Sequence, residues 1–161
     1  MGFWSVLVVE PHQLLRELMV ELVRQLPDVR VALASTAESA IDQARSHPPT
    51  ILLLDTALPD LATGEAVCRL RAAAPTARLV LIGDQPIAAY REMASRSGVD
   101  LCLEKEKMAA ELLPALRWLM GEEDPTAGSI ADEGYSNRSS DDERGEEDGQ
   151  AGRGLQTRIS G

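Results

Sequence analysis

Aromatic residues are scarce in this chain: Phe, Trp and Tyr make up 3% of its 161 residues, although 44% are apolar. Any core must therefore be aliphatic, assembled from Leu, Val, Ile, Ala and Met. Cysteine is nearly absent as well. Cys68 and Cys102 stand far apart, with no Cys-x-x-Cys pair and no Cys/His cluster. That excludes a disulfide framework and a zinc site, and fits reduced thiols in a cytoplasmic protein. No apolar run approaches the ~18 residues of a membrane span. The N-terminus lacks the basic start of a signal peptide, and Glu10-Pro11 interrupts its apolar stretch. A myristoylation signal is missing too, since position 6 is Val where Ser or Thr is wanted. There is no GxGxxG after the first apolar run and no GxxxxGK[ST] anywhere, which removes the main support for dinucleotide and P-loop nucleotide binding.

Concentrated positive charge is also lacking. The net charge is −10 and it is unevenly spread. Through Met120 there are 15 acidic and 12 basic residues, a net of −3; from Gly121 onward there are 11 and 4, a net of −7. Neither part offers the basic surface that nucleic acid requires, and an acidic chain is repelled by anionic lipid. No direct nucleic-acid or membrane partner is expected. Residues 121–161 are rich in Gly, Ser and acid and poor in apolar residues, so they are expected to form a disordered acidic tail. They contain no helical periodicity long enough for a helix-turn-helix, so no output domain is expected there. The domain proper is expected over residues 1–120.

Short apolar runs alternate with helical patterns through that domain. Residues 5–9 (SVLVV) read as a buried strand. Leu15, Leu18, Met19, Leu22 and Leu26 follow helical spacing, and Pro27 stops the helix. Residues 29–34 (VRVALA) form a second strand. Ser35 is placed to cap the next helix, with Glu38 as its capping-box partner. Residues 51–54 (ILLL) are the clearest strand, four apolar residues running into Asp55. Such a continuous apolar strand is typical of a parallel sheet covered on both faces. A helix over 65–74, a strand over 78–82, a helix over 86–97 stopped by Gly98, a strand over 99–103 and a helix over 107–120 complete the pattern. Pro114 is expected to kink the last helix or delay its start. Five βα units in this order predict a doubly wound α/β fold.

In open α/β sheets function gathers outside the carboxyl ends of the strands. The predicted strand ends carry Glu10, Asp55 and Gly83-Asp84, with Lys105 just past the fifth. Carboxylates with one amine suit Mg²⁺ and a phosphoryl group. Asp55 is the candidate nucleophile, because carboxylates form aspartyl phosphates, and Lys105 is placed to neutralise a phosphoryl oxygen. A small α/β enzyme is disfavoured, since no nucleophile–base pair is visible. His12 reads as a solvated residue at the start of the first helix, with an accessory role at the site as the alternative.

The ordered set of Glu10, Asp55-Thr-Ala-Leu-Pro59, Gly64, Gly83 and Gly98-Val-Asp-Leu-Cys-Leu-Glu-Lys105 resembles the receiver domain of two-component response regulators over residues 5 to about 120. The resemblance implies a five-stranded, flavodoxin-like parallel sheet of order 2-1-3-4-5. It implies Asp55 as phosphoacceptor, Lys105 as a phosphoryl contact, and Mg²⁺ held by Glu10, Asp55 and the backbone carbonyl of Ala57. It also implies a histidine kinase or phosphotransfer protein as donor and a downstream protein reached by protein–protein contact. Homodimerisation would use helices 86–97 and 107–120, with Ile87, Ala88, Ala89, Met93 and Ala94 as small apolar contacts. Enzymatic turnover would be limited to self-dephosphorylation.

Four positions depart from the family pattern. Pro11 replaces an acidic metal ligand. Gly83 lacks the hydroxyl expected at the end of the fourth strand. Cys102 stands at a position where a switching aromatic is common, and Asp84 adds a carboxylate that either helps hold a cation or repels phosphate. Two readings follow: a phosphorylated single-domain response regulator, or a pseudo-receiver that binds proteins independently of phosphate.

Overall fold

The structure is a computed structural model and describes residues 2–61 and 64–121. The expected tail from residue 122 lies outside the described residues. Five parallel strands, β1 (Trp4–Val9), β2 (Val29–Ala34), β3 (Ile51–Asp55), β4 (Arg78–Gly83) and β5 (Leu101–Glu104), form one sheet in the order β2-β1-β3-β4-β5. They alternate with α1 (Gln13–Val23), α2 (Ala37–Ser46), α3 (Glu65–Ala73), α4 (Arg91–Ser97) and α5 (Met108–Leu119). The βα alternation predicts the doubly wound parallel sheet, and the resemblance to receiver domains implies its flavodoxin-like order; both are as expected.

The alternation of side chains along each strand builds two cores from one sheet. Leu52 and Leu54 point to one face with Leu7, Val9, Leu79, Leu81 and Cys102, where α2, α3 and α4 cover them. Ile51 and Leu53 point to the other with Val6, Val8, Val80 and Ile82, beneath α1 and α5. Every residue of β3 is fully buried because it is hydrogen-bonded on both edges and covered on both faces. Tyr90, Trp4 and Trp118 pack against the two cores only as partly buried residues, and the fully buried side chains here are aliphatic. Burying one such side chain contributes roughly 1.5–3 kcal/mol.

Local details differ from the sequence reading. The α2 cap is Thr36, not Ser35: Thr36 is extended and its hydroxyl accepts the Ser39 amide at 3.1 Å. Glu38 is drawn away from a capping box by a forked ion pair with Arg69. On α1, Leu18 is half-exposed, because the buried stripe runs through Met19, Val20 and Val23, about 100° further round the helix. The helix expected over 86–97 is shorter. Residues Ile87–Tyr90 wind as a 3₁₀ turn, and α4 begins only at Arg91. Gly98 ends α4 in the left-handed conformation, where a Cβ would be strained. The last helix begins at Met108, well before Pro114, so it does not wait for the proline; Pro114 lies inside it.

The cap assignment is testable. Thr36→Ala should lower stability by about 1 kcal/mol in urea unfolding followed by circular dichroism. Ser35→Ala should stay within about 0.5 kcal/mol of wild type. The reverse ranking would return the cap to Ser35.

Candidate functional site

β1 runs to β2 on one side and pairs with β3 on the other, so the strand order reverses between β1 and β3. Glu10 follows the last residue of β1 and Asp55 is the last residue of β3. Parallel pairing in register, with Val9 beside Leu54, brings these two carboxyl groups to the same end of the sheet. Both residues are fully buried.

Burying two carboxyl groups together is costly unless each is compensated. Asp55 Oδ1 accepts the Ala57 amide at 2.6 Å. Lys105, just after β5 and 16% exposed, brings its Nζ to 2.8 Å from Asp55 Oδ2 and 3.2 Å from Asp84 Oδ2. The approach to Asp55 is an ion pair rather than an aligned hydrogen bond, because no donor is directed at Oδ2. Glu10 Oε1 accepts the His12 amide at 2.8 Å and lies 3.2 Å from His12 Nδ1. Arg16 holds the Glu10 carbonyl at 2.8 Å. Glu10 Oε2 and Asp55 Oδ2 are therefore both buried without a hydrogen bond.

Burial, reinforced by the neighbouring Asp55 carboxyl, pushes Glu10 up to about 7, against a weaker pull from His12. Burial alone would weaken the Lys105 ammonium, but Asp55 and Asp84 outweigh it and hold Lys105 above the usual lysine range. A buried Glu10 oxygen without a hydrogen bond, beside the Asp55–Lys105 ion pair, is what a cation or a shared proton would relieve. The donor set at hand is two carboxyl groups, with Pro11 contributing none. Among the described residues, no cluster of three or more His, Cys, Asp or Glu is arranged to hold a metal ion.

The structure thus brings Glu10, Asp55, Ala57, Asp84 and Lys105 together. His12 is exposed but touches Glu10. Cys102 is buried in the sheet's core, and burial pushes its thiol up to about 12. Gly83 ends β4 beneath a residue that the sequence reading passed over. A Cβ built on Gly83 would collide with Tyr90 Cε2 and stand 2.6 Å from the Tyr90 hydroxyl. The Tyr90 hydroxyl accepts the Gln85 amide at 3.0 Å and lies 3.3 Å from Thr56 Oγ1, beside Asp55. An isolated glycine ending an apolar strand was itself the available signal, since it marks close approach by another group.

The model of the response regulator receiver domain family matches residues 6–117. This chain belongs to that family. As a receiver domain it is 32% identical over 108 residues to protein-glutamate methylesterase/protein-glutamine glutaminase 2 of Anaeromyxobacter dehalogenans (strain 2CP-C), covering 66% of this chain and 31% of that protein. It is 29% identical over 113 residues to the nitrate/nitrite response regulator protein NarL of Escherichia coli (strain K12), covering 70% of this chain and 52% of that protein. The chain therefore spans between about a third and a half of the length of these two relatives. Among solved structures it resembles a LuxR-family two-component response regulator from Aurantimonas sp. SI85-9A1, with a TM-score of 0.68, 26% identity, and coverage of 82% of this chain and 95% of that one. The receiver fold thus rests on the family match and on the sheet order together. No helix of the described residues is long and apolar enough to cross a membrane.

The Glu10–Asp55 contact predicts a pH signature in metal-free protein. Glu10 keeps its proton to about pH 7 when folded but loses it near 4.5 when unfolded. The folded state therefore binds more protons across that interval, and this contribution to stability falls as pH rises from 4.5 to 7, then levels off. Glu10→Gln should remove the fall and raise stability at pH 8 by an amount on the order of 3 kcal/mol in urea titrations with chelator present. An unchanged pH profile would mean that Glu10 is already ionised in the fold.

Proposed function

We propose that this receiver domain accepts a phosphoryl group on Asp55 from a histidine kinase or phosphotransfer protein, and signals in the cytoplasm by protein–protein contact. The observation that carries the reading is a fully buried Asp55 at the central strand's end, ion-paired with Lys105 and facing Glu10. A buried carboxylate with a poised ammonium is suited to attack on phosphorus. An Asp55 oxygen bonds to phosphorus as the donor's P–N bond breaks, and the electron pair leaves on the imidazole nitrogen. Lys105 can follow the added charge, since its ammonium already spans Asp55 and Asp84.

The Glu10 oxygen left without a hydrogen bond and the Asp55 carboxylate, ion-paired with Lys105, fit Mg²⁺. Those two side chains and the Ala57 carbonyl would hold it, and the ion would supply charge neutralisation at the phosphoryl oxygens. Asp84 stays half-paired at the rim and sets the local negative charge. The phosphorylation-independent alternative, a pseudo-receiver, draws on two observations: the Tyr90 ring fills the space over Gly83, and Cys102 beneath the sheet's face is no aromatic switch.

Output through a homodimer of the α4 and α5 faces belongs to the same reading. Ala88 and Ala89 are exposed there and Met93 is half-exposed. Ala94 is buried in the core, so it is not part of that surface. The Ile87 side chain lies outside the described residues. Light scattering at high concentration should give a dimer mass after phosphorylation; a monomer in both states would remove this route.

The central test uses acetyl phosphate with Mg²⁺ and intact-mass measurement. Wild type should gain one phosphoryl group, and Asp55→Asn should gain none. Lys105→Ala should slow the gain by roughly 10²-fold. No gain in wild type under forcing conditions would overturn phosphoacceptance and leave the pseudo-receiver.

A further inference from the structure

We propose that Tyr90 is a phosphoryl-binding residue of this domain: its hydroxyl, carried over Gly83 by the turn ahead of α4, donates to an oxygen of the group on Asp55. The inference rests on the phosphoacceptor reading above and names a side chain that the family pattern does not supply.

A phosphoryl group presents three strong acceptor oxygens. Lys105 approaches the site from the end of β5 and can serve only part of that demand. Two hydroxyls stand at the neighbouring strand ends. Thr56 directly follows Asp55, and its Oγ1 lies 3.3 Å from the Tyr90 hydroxyl. The register places Asp55 beside Ile82 and Gly83 beside Glu104, the residue before Lys105. A group standing over Gly83 therefore sits between the strand that carries Asp55 and the strand that leads to Lys105.

The Tyr90 hydroxyl is held at that point rather than merely near it. It lies 2.6 Å from where a residue-83 Cβ would be, which is the space a serine side chain there would fill. The Gln85 amide donates to it at 3.0 Å, which uses a lone pair and leaves the phenolic proton for an acceptor. Thr56 Oγ1 can accept a hydrogen bond from the phenolic O–H while the site is empty, and the O–H can turn to donate to a bound anion. The ring packs against the core on one side and borders an open cavity of about 370 Å³, near Leu61, Ala89 and Met93, on the other. It is thus supported on one side and open on the other, next to the cavity that Thr56 and Asp84 also line.

Three variants separate this role from a structural one. Wild type, Tyr90→Phe, Tyr90→Ala and the double variant Tyr90→Ala/Gly83→Ser are incubated with acetyl phosphate and Mg²⁺. The rate of mass gain and the lifetime of the adduct after donor removal are read alongside thermal melting. Tyr90→Phe keeps the ring over Gly83, so it should melt near wild type yet label more slowly or lose its phosphoryl group faster, by about tenfold or more. Tyr90→Ala should show the same loss, and adding Gly83→Ser, which places a hydroxyl in the vacated space, should recover most of it. A Tyr90→Phe protein that labels and decays like wild type would overturn the inference while leaving Asp55 as phosphoacceptor. Failure of the double variant to recover, with a normal melt, would mean that a hydroxyl at this point does not serve the phosphoryl group, and would overturn it too. Absence of labelling in wild type would remove the phosphoacceptor reading and this inference with it.

Discussion

Two carboxyl groups buried side by side, with a single ammonium to offset them, set the terms for the whole carboxyl end of this sheet. Glu10 and Asp55 are fully buried, and burial, reinforced by the neighbouring Asp55 carboxyl, favours a proton on Glu10 over a bare charge. The surroundings are arranged around that conflict. The Ala57 and His12 amides each satisfy one oxygen, Lys105 leans between Asp55 and Asp84, and Arg16 fixes the backbone at Glu10. A fold that stored hydrophobic energy alone would have no reason to tolerate this cluster. The rest of the sheet, aliphatic on both faces, provides the stability against which it is held.

Much of this was legible along the chain. The uninterrupted run at 51–54 marks a strand buried on both faces, and the five βα alternations fix a parallel sheet whose working edge is known in advance. Strand ends then point directly to Glu10, Asp55, Gly83, Asp84 and Lys105. What the sequence could not show is side-chain traffic between elements. Tyr90 reads as an unremarkable position in an expected helix, because nothing local says that the first turn tightens and folds its ring back over β4. Glu38 fits a capping box until Arg69, distant in sequence, competes for it, and the cap passes to Thr36. Leu18 fits the helical period but falls off the buried stripe once α1 is docked.

The departures from the family pattern acquire a common physical sense in three dimensions. Pro11 removes a charge from a pocket that already holds two buried carboxyl groups. Gly83 removes a side chain from a notch that an aromatic ring occupies. Cys102 is a small buried residue on the same core that the Tyr90 ring packs against. At Gly83 the neighbour that takes the space is the Tyr90 ring.

Strand β3 also bears on how the chain reaches its fold. A short aliphatic run with strong strand preference is a hazard on the ribosome, where one edge stays open until its later partner is made. β1 precedes β3 in synthesis, but β4 does not exist when β3 emerges. The charge that closes the run is Asp55 itself. The proposed phosphoacceptor therefore also stands where a gatekeeper charge interrupts the chain's most adhesive segment.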